Sequence, residues 1–356
     1  MAKKRKRVWI PIVVVLSLLY IFFAAQSVRL ENVLKFQWIT SIEAESRDIG
    51  NIQGILSPFM LSDRFGYIDE YGNLSFNKAQ EGYVSLSDFR WAEYDGTPSE
   101  IDVQSPLNET LFSLSNLEAY PFFLDNKNFV LGKNQNSISN IDENGNVNWK
   151  YDFDAPITCI DAKANLLFAG LLNGTVVLLD RSGNEVFSFE ALGSRISIIY
   201  ACKISDDGSK LAVVSGLDEQ RFLLFEQFAD SYRVVYHEYI GEGFRRPVML
   251  SFIDEGRRAA FEREGGIGMY DIADRKSVMI PLDGSVYAMD NKGQDGLFFV
   301  ITSLPNNKKN LVSIRYPGTI MGKAPFKTDS AFLSRNDSSL IIGGGNTLIS
   351  FELEKR

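Results

Sequence analysis

Three nine-residue segments of this 356-residue chain follow one pattern: residues 68–76 (IDEYGNLSF), 141–149 (IDENGNVNW) and 179–187 (LDRSGNEVF). Each reads apolar, Asp, two variable positions, Gly-Asn, and an aromatic four positions after the glycine. Each part has a mechanical reason. The aspartates (Asp69, Asp142, Asp180) and the asparagines bond nearby backbone in a tight turn, and the glycines (Gly72, Gly145, Gly183) supply a positive φ. The aromatic, Trp149 in the second copy, packs the returning strand between sheets. The repeat is a strand-turn-strand unit that needs neighbours to bury its apolar faces.

A second hairpin motif follows at residues 204–212 (ISDDGSKLA) and 252–260 (FIDEGRRAA), with turn residues Asp206, Gly208, Asp254 and Gly256. Residues 333–341 share its outline, and 289–293 are a looser copy. Interleaving the two motifs divides the chain into units of four short strands at 157–190, 198–239, 247–281, 285–326 and 330–353. Upstream come a regular unit at 120–153, a weak one at 83–117 and an irregular one at 39–76. Four strands repeated every ~35–46 residues mark the blades of a β-propeller. The count predicts an all-β fold of eight blades over residues 50–356, with seven as the alternative. The last unit lacks a fourth strand, and a strand near 36–42, in the linker 26–49, is expected to fill the vacancy and close the ring. No amphipathic helical stretch separates the strands, which disfavours a parallel α/β fold.

The N-terminus is different in kind. Residues 8–25 (VWIPIVVVLSLLYIFFAA) carry no charge and as a helix would rise about 27 Å, close to the hydrocarbon thickness of a bilayer. The basic tail 1–7 (Lys3, Lys4, Arg5, Lys6, Arg7) precedes them, so the positive-inside rule predicts a cytoplasmic N-terminus, one transmembrane signal-anchor at 8–25 and an extracytoplasmic body, periplasmic in a bacterium. A cleaved secretory signal ending near Ala25 is the rival reading, with the same side for the body.

The Asp-x-x-Gly-Asn turns with their aromatic, above all 141–149 and 179–187, resemble the repeats of quinoprotein-like (PQQ-like) propellers, a group that includes the BamB type of outer-membrane assembly factor. The 204–212 hairpin is similar to WD40 and TolB-type blades. The resemblance covers most of residues 50–356, and what it implies is a propeller that binds envelope proteins through its loop-rich faces. Quinoprotein dehydrogenases of that group hold their cofactor beneath vicinal cysteines. Here Cys159 and Cys202 are far apart in sequence, so no PQQ and no other cofactor is expected.

Little else reads as chemistry. The single histidine, His237, lies in a strand-like alternation without a nucleophile motif, so no catalytic residue is assigned and a non-enzymatic protein is expected. One His and two separated Cys exclude the common zinc sites. The glycine-rich stretches 265–268 and 343–345 lead into no helix and read as turns and close strand packing. Cys159 and Cys202 fall at comparable places on inner strands of successive blades, where a cross-blade disulfide is conceivable beside the reading as two buried thiols. Arg245 and Arg246, next to Phe244, suggest a contact surface or solvated hairpin ends. Five of the 37 basic residues sit in the N-terminal tail, which leaves 32 basic against 45 acidic residues, a charge of −13, for the rest. Such a body repels nucleic acid. The expected partners are therefore the membrane, through residues 8–25, and proteins of the cell envelope.

Overall fold

The computed structural model describes residues 32–44, 54–96, 100–115, 119–124, 126–242, 244–294, 296–336 and 339–355, together with Val15 and Ser17. Its described strands form eight antiparallel sheets arranged as the blades of one ring, which decides for eight blades over seven. The expected membrane helix at 8–25 lies outside the described residues apart from Val15 and Ser17. Among the described residues no helix is long and apolar enough to cross a membrane.

The strand sequences explain the stacking. Second and third strands such as Leu166–Leu171 and Thr175–Leu179 are apolar almost throughout and buried, because both of their faces meet a neighbouring blade. Fourth strands such as Val147–Asp152 and Glu185–Glu190 alternate, with Trp149, Tyr151, Phe187 and Phe189 turned inward and charged or polar residues turned out. The apolar core is accordingly divided into eight clusters, one at each seam. Phe168, Val176 and Leu178 of the fourth blade, for example, pack on Leu211, Val213, Leu223 and Phe225 of the fifth.

The ring closes through its chain ends. Strand Asn32–Ser41 pairs antiparallel with Thr347–Lys355, from Asn32 opposite Lys355 to Ser41 opposite Thr347, and supplies the fourth strand of the eighth blade. A bulge between Phe36 and Trp38 shifts the register midway. In the first blade three strands are described, Ser57–Leu61, Arg64–Ile68 and Leu74–Ala79. The Asp69–Gly72 turn joins the last two, as the equivalent turns join third and fourth strands elsewhere, so these three occupy the second to fourth positions.

Up-and-down blades give the ring two unlike faces. The turns between first and second strands and those between third and fourth strands share one end, the hairpin face. Turns between second and third strands and the blade-to-blade connections share the other, the connector face.

Candidate functional site

On the hairpin face the three Gly-Asn turns are built alike. Asp142 Oδ1 accepts the amides of Asn144 and Asn146, both at 2.8 Å, while Oδ2 accepts the Asn146 side-chain amide at 3.1 Å. Asp180 does the same with Ser182 and Asn184, and Asp69 with Tyr71 and Asn73. The asparagine bonds hold the Asp142 and Asp180 carboxyls below the usual carboxylate range. Gly72, Gly145 and Gly183 have φ of 84°, 82° and 80°.

Two of these turns receive an indole from the preceding blade. Trp149 lies over Gly183 and donates Nε1–H to Arg181 O at 2.9 Å. Trp38, on the closing strand, lies over Gly72 and donates to Glu70 O at 2.8 Å. A Cβ at Gly183 would stand 2.6 Å from the Trp149 ring. Gly145 meets Leu114 and Phe112 instead.

The second motif behaves differently. In the 204–212 hairpin the turn carboxylate is that of Asp207, which accepts the Ser205 hydroxyl at 2.6 Å, the Ser209 amide at 3.0 Å and the Ser209 hydroxyl at 2.7 Å. Burial pushes this carboxyl up, but those bonds and Lys210 outweigh it and bring it down to about 2. Asp206, singled out from the sequence, instead pairs with Lys163 of the fourth blade. Asp254 pairs with Arg258 and accepts the Gly296 amide of the seventh blade at 2.9 Å. Gly208 and Gly256 sit at positive φ, 74° and 78°.

Of the residues picked from the sequence, Asp206 and Asp254 come together at one cavity, while the others are spread around the ring. That cavity belongs to the channel mouth. Two adjoining cavities of about 270 and 260 Å³ share Asn291 and Lys292 and are bordered by Lys163, Asp206, Asp254, Glu255, Asp88 and Arg335. Beside them a cleft of about 530 Å³ between the sixth and seventh blades holds Arg257, Arg258, Arg315 and Tyr316, with the Arg258 guanidinium 4.0 Å from the Tyr316 ring centre. Arg258 also meets the fully buried Asp271 at 2.8 Å. Burial raises the Asp271 carboxyl, yet the Asp274 amide, Arg258 and Arg257 hold it below its ordinary value.

Inner strands of adjacent blades are clasped by charge. Asp161 accepts Lys203 Nζ at 3.2 Å and the Ile204 amide at 2.8 Å. Asp290, fully buried, accepts Arg335 Nη1 at 2.9 Å, and the same nitrogen reaches Leu297 O at 2.9 Å. Cys159 and Cys202 do lie on adjacent inner strands, Ile157–Lys163 and Ile199–Ile204, but no disulfide joins them. Both are free thiols. Burial, with Cys159 alongside, raises the Cys202 thiol, whose Sγ–H faces Phe168 O at 3.4 Å. His237 is exposed on the outer strand Ser231–Glu242. Among the described residues no group of three His, Cys, Asp or Glu is placed to hold a metal.

The connector face carries an exposed apolar patch among the described residues. Leu172, Leu192 and Ile196 are 48%, 63% and 41% exposed. Their loops are tied together by backbone bonds from Ala191 to Gly174 O at 2.9 Å and from Leu217 to Ile196 O at 3.0 Å. Basic groups flank the patch. Arg195 contacts Asp218 at 3.5 Å and Arg221 packs against Gly193; in the next blade-to-blade connection Arg246 lies 4.8 Å from the Phe244 ring while binding Glu262 at 2.6 Å.

Trp38, Asp161, Asp290 and Arg335 escaped the sequence reading. Trp38 had one available signal, an aromatic at the fourth-strand position of the strand expected to close the ring. The charged pairs had none, since their partners lie 42 to 45 residues away.

Eight up-and-down sheets around one axis, closed by the chain ends, define a β-propeller. The family described as beta-propeller protein matches residues 1–355, and the chain belongs to it. A relative, an uncharacterized protein of Treponema pallidum (strain Nichols), is 30% identical over 239 residues, covering 66% of this chain and 62% of that protein's own length. Among solved structures, BamB from Moraxella catarrhalis is similar with a TM-score of 0.61 at 12% identity, over 90% of this chain and 100% of that one. A chain of the mitotic checkpoint complex is similar with a TM-score of 0.56 at 13% identity, over 90% and 98%.

Proposed function

We propose that this propeller is a membrane-tethered, extracytoplasmic scaffold without enzymatic activity, which holds protein partners of the cell envelope on its connector face. The observation that carries this reading is the Leu172, Leu192 and Ile196 patch with its arginine border. It has the composition of an interaction surface, apolar at the centre and charged at the rim. The likeness to BamB and to a chain of a multiprotein complex supports a binding role. The uncharged run 8–25 behind five basic residues supports a tether with the ring on the outer side.

Crosslinking in intact membranes followed by pull-down tests the reading. Wild-type chain should recover a reproducible partner set, and Leu192→Asp should lose it while keeping the wild-type melting temperature. Equal recovery by both would refute the assignment of the patch. A reporter active only outside the cytoplasm, fused after Arg356, should be active; silence would contradict the topology.

A second reading has its own observation, the charged groups of both signs around the channel mouth. On that reading a small polar ligand binds at the mouth, and native mass spectrometry of purified protein would show it bound, with loss on Lys292→Ala.

A further inference from the structure

The flank of the ring carries a second apolar feature, remote from the connector face. A groove of about 500 Å³ runs between the outer strand of the seventh blade, Thr319–Lys327, and the eighth blade, and is lined by Leu34, Leu311, Phe326, Ile342, Ile349 and Phe351. Beside it the closing strand exposes Phe36 (57%) and Ile39 (60%). The Phe36 ring meets Phe351 edge-on at 6.3 Å between centres. Lys327 lines the groove, and Lys35 is bound by Glu354 at 2.8 Å and Glu352 at 3.3 Å, so the charged groups around the patch are largely balanced.

Chain length limits what can cover this flank. Only residues 26–31 separate the uncharged run ending at Ala25 from Asn32, the first residue of the closing strand. Fully extended, that link spans at most about 25 Å. The interfacial layer of a bilayer is itself about 5–8 Å deep on each side. On the tether reading, the start of the strand that carries Leu34, Phe36 and Ile39 is therefore held within about 25 Å of the end of the apolar run.

We propose that this flank seats on the bilayer, with Phe36 and Ile39 in the interfacial layer and lipid acyl chains in the groove. The proposal rests on the tether reading. Seating of this kind removes apolar surface from water and orders the ring relative to the membrane, so that the connector patch of the fourth and fifth blades lies on the side of the ring far from the lipid.

The test uses the full chain in vesicles of phosphatidylethanolamine and phosphatidylglycerol with brominated acyl chains. A coumarin amino acid is placed at position 36, at 39 in a second variant, and at 192 as reference, each checked for an unchanged melting temperature. Quenching at 36 and 39 should exceed that at 192 several-fold, and Leu34→Asp should abolish the excess. Alkaline extraction reports the tether separately. A chain that stays in the membrane but shows equal quenching at 36, 39 and 192 overturns the seating alone, whereas a chain washed off by alkali overturns the tether and the seating with it. Energy transfer between labels on different chains without lipid quenching would assign the groove to a second copy and overturn the proposal.

Discussion

Neighbouring blades are fastened in two ways, and the contrast between the rim and the axis of the ring is instructive. At the rim, Trp38 and Trp149 each lie on the next blade's Gly-Asn turn and donate one neutral hydrogen bond, in both cases across 32 residues. Near the axis, Asp161 clasps Lys203 and Asp290 clasps Arg335, with the two acids almost wholly out of water. The rim fastening combines apolar area and fit, degrades gradually and is indifferent to the charge state of its own groups. The axial one depends on paired ions whose separation leaves a desolvated charge behind.

The largest effect should therefore come from splitting an axial pair. Asp290→Ala strands Arg335, of which 3% of the side chain is exposed, and should cost about 3–5 kcal/mol in chemical denaturation, most of it recovered in Asp290→Leu with Arg335→Met. A loss below that of any rim substitution would break the contrast. Next in size is Gly183→Ala, which adds a Cβ against the Trp149 ring at a φ of 80° and should cost about 1–3 kcal/mol. Gly96→Ala, at a φ of 54° with no described residue near the new Cβ, separates backbone strain from the indole clash and should fall at the low end of that range. Trp149→Phe keeps a ring over the turn but loses the bond to Arg181 O, worth about 1 kcal/mol, and the change should be the same at pH 5 and pH 8.

The smallest effect is electrostatic and lies in a turn. The Asp207 carboxyl, lowered to about 2, is ionised in the folded chain at pH values where an unfolded aspartate has taken up its proton. Its contribution is complete above the ordinary aspartate value near pH 4 and is lost as pH falls toward 2. Carboxyl NMR titration should place its midpoint near 2, and Ser205→Ala should move it upward; an unmoved midpoint would remove the hydroxyl from the account.

What could be read from the sequence follows from range. Turns of the 141–149 type announce themselves because Asp, Gly and Asn act within five residues, and repetition of the turn gives the blades. The vacancy in the last blade is legible by counting strands, and Asn32–Ser41 fills it. Asp206 and Asp207 are adjacent acids in one motif, and only the direction of their side chains separates the turn-former from the partner of Lys163. The connector patch gathers Leu172, Leu192 and Ile196 from two loops with no shared pattern, so nothing local marks it. The axial pairs are created by the ring itself, which brings side chains on successive inner strands to 2.9–3.2 Å.

The pairing of Asn32 with Lys355 has a mechanical side. A pull on the N-terminus acts first on the strand Asn32–Ser41, at the end where it lies against the last residues of the chain. Load applied there across the strand meets the Asn32–Lys355 rung first and the Ser41–Thr347 rung last. The Trp38 indole on the neighbouring turn acts as a stop partway along the strand. Tension applied at the N-terminus would thus reach the closing strand, and through it the last blade, before it reached any other.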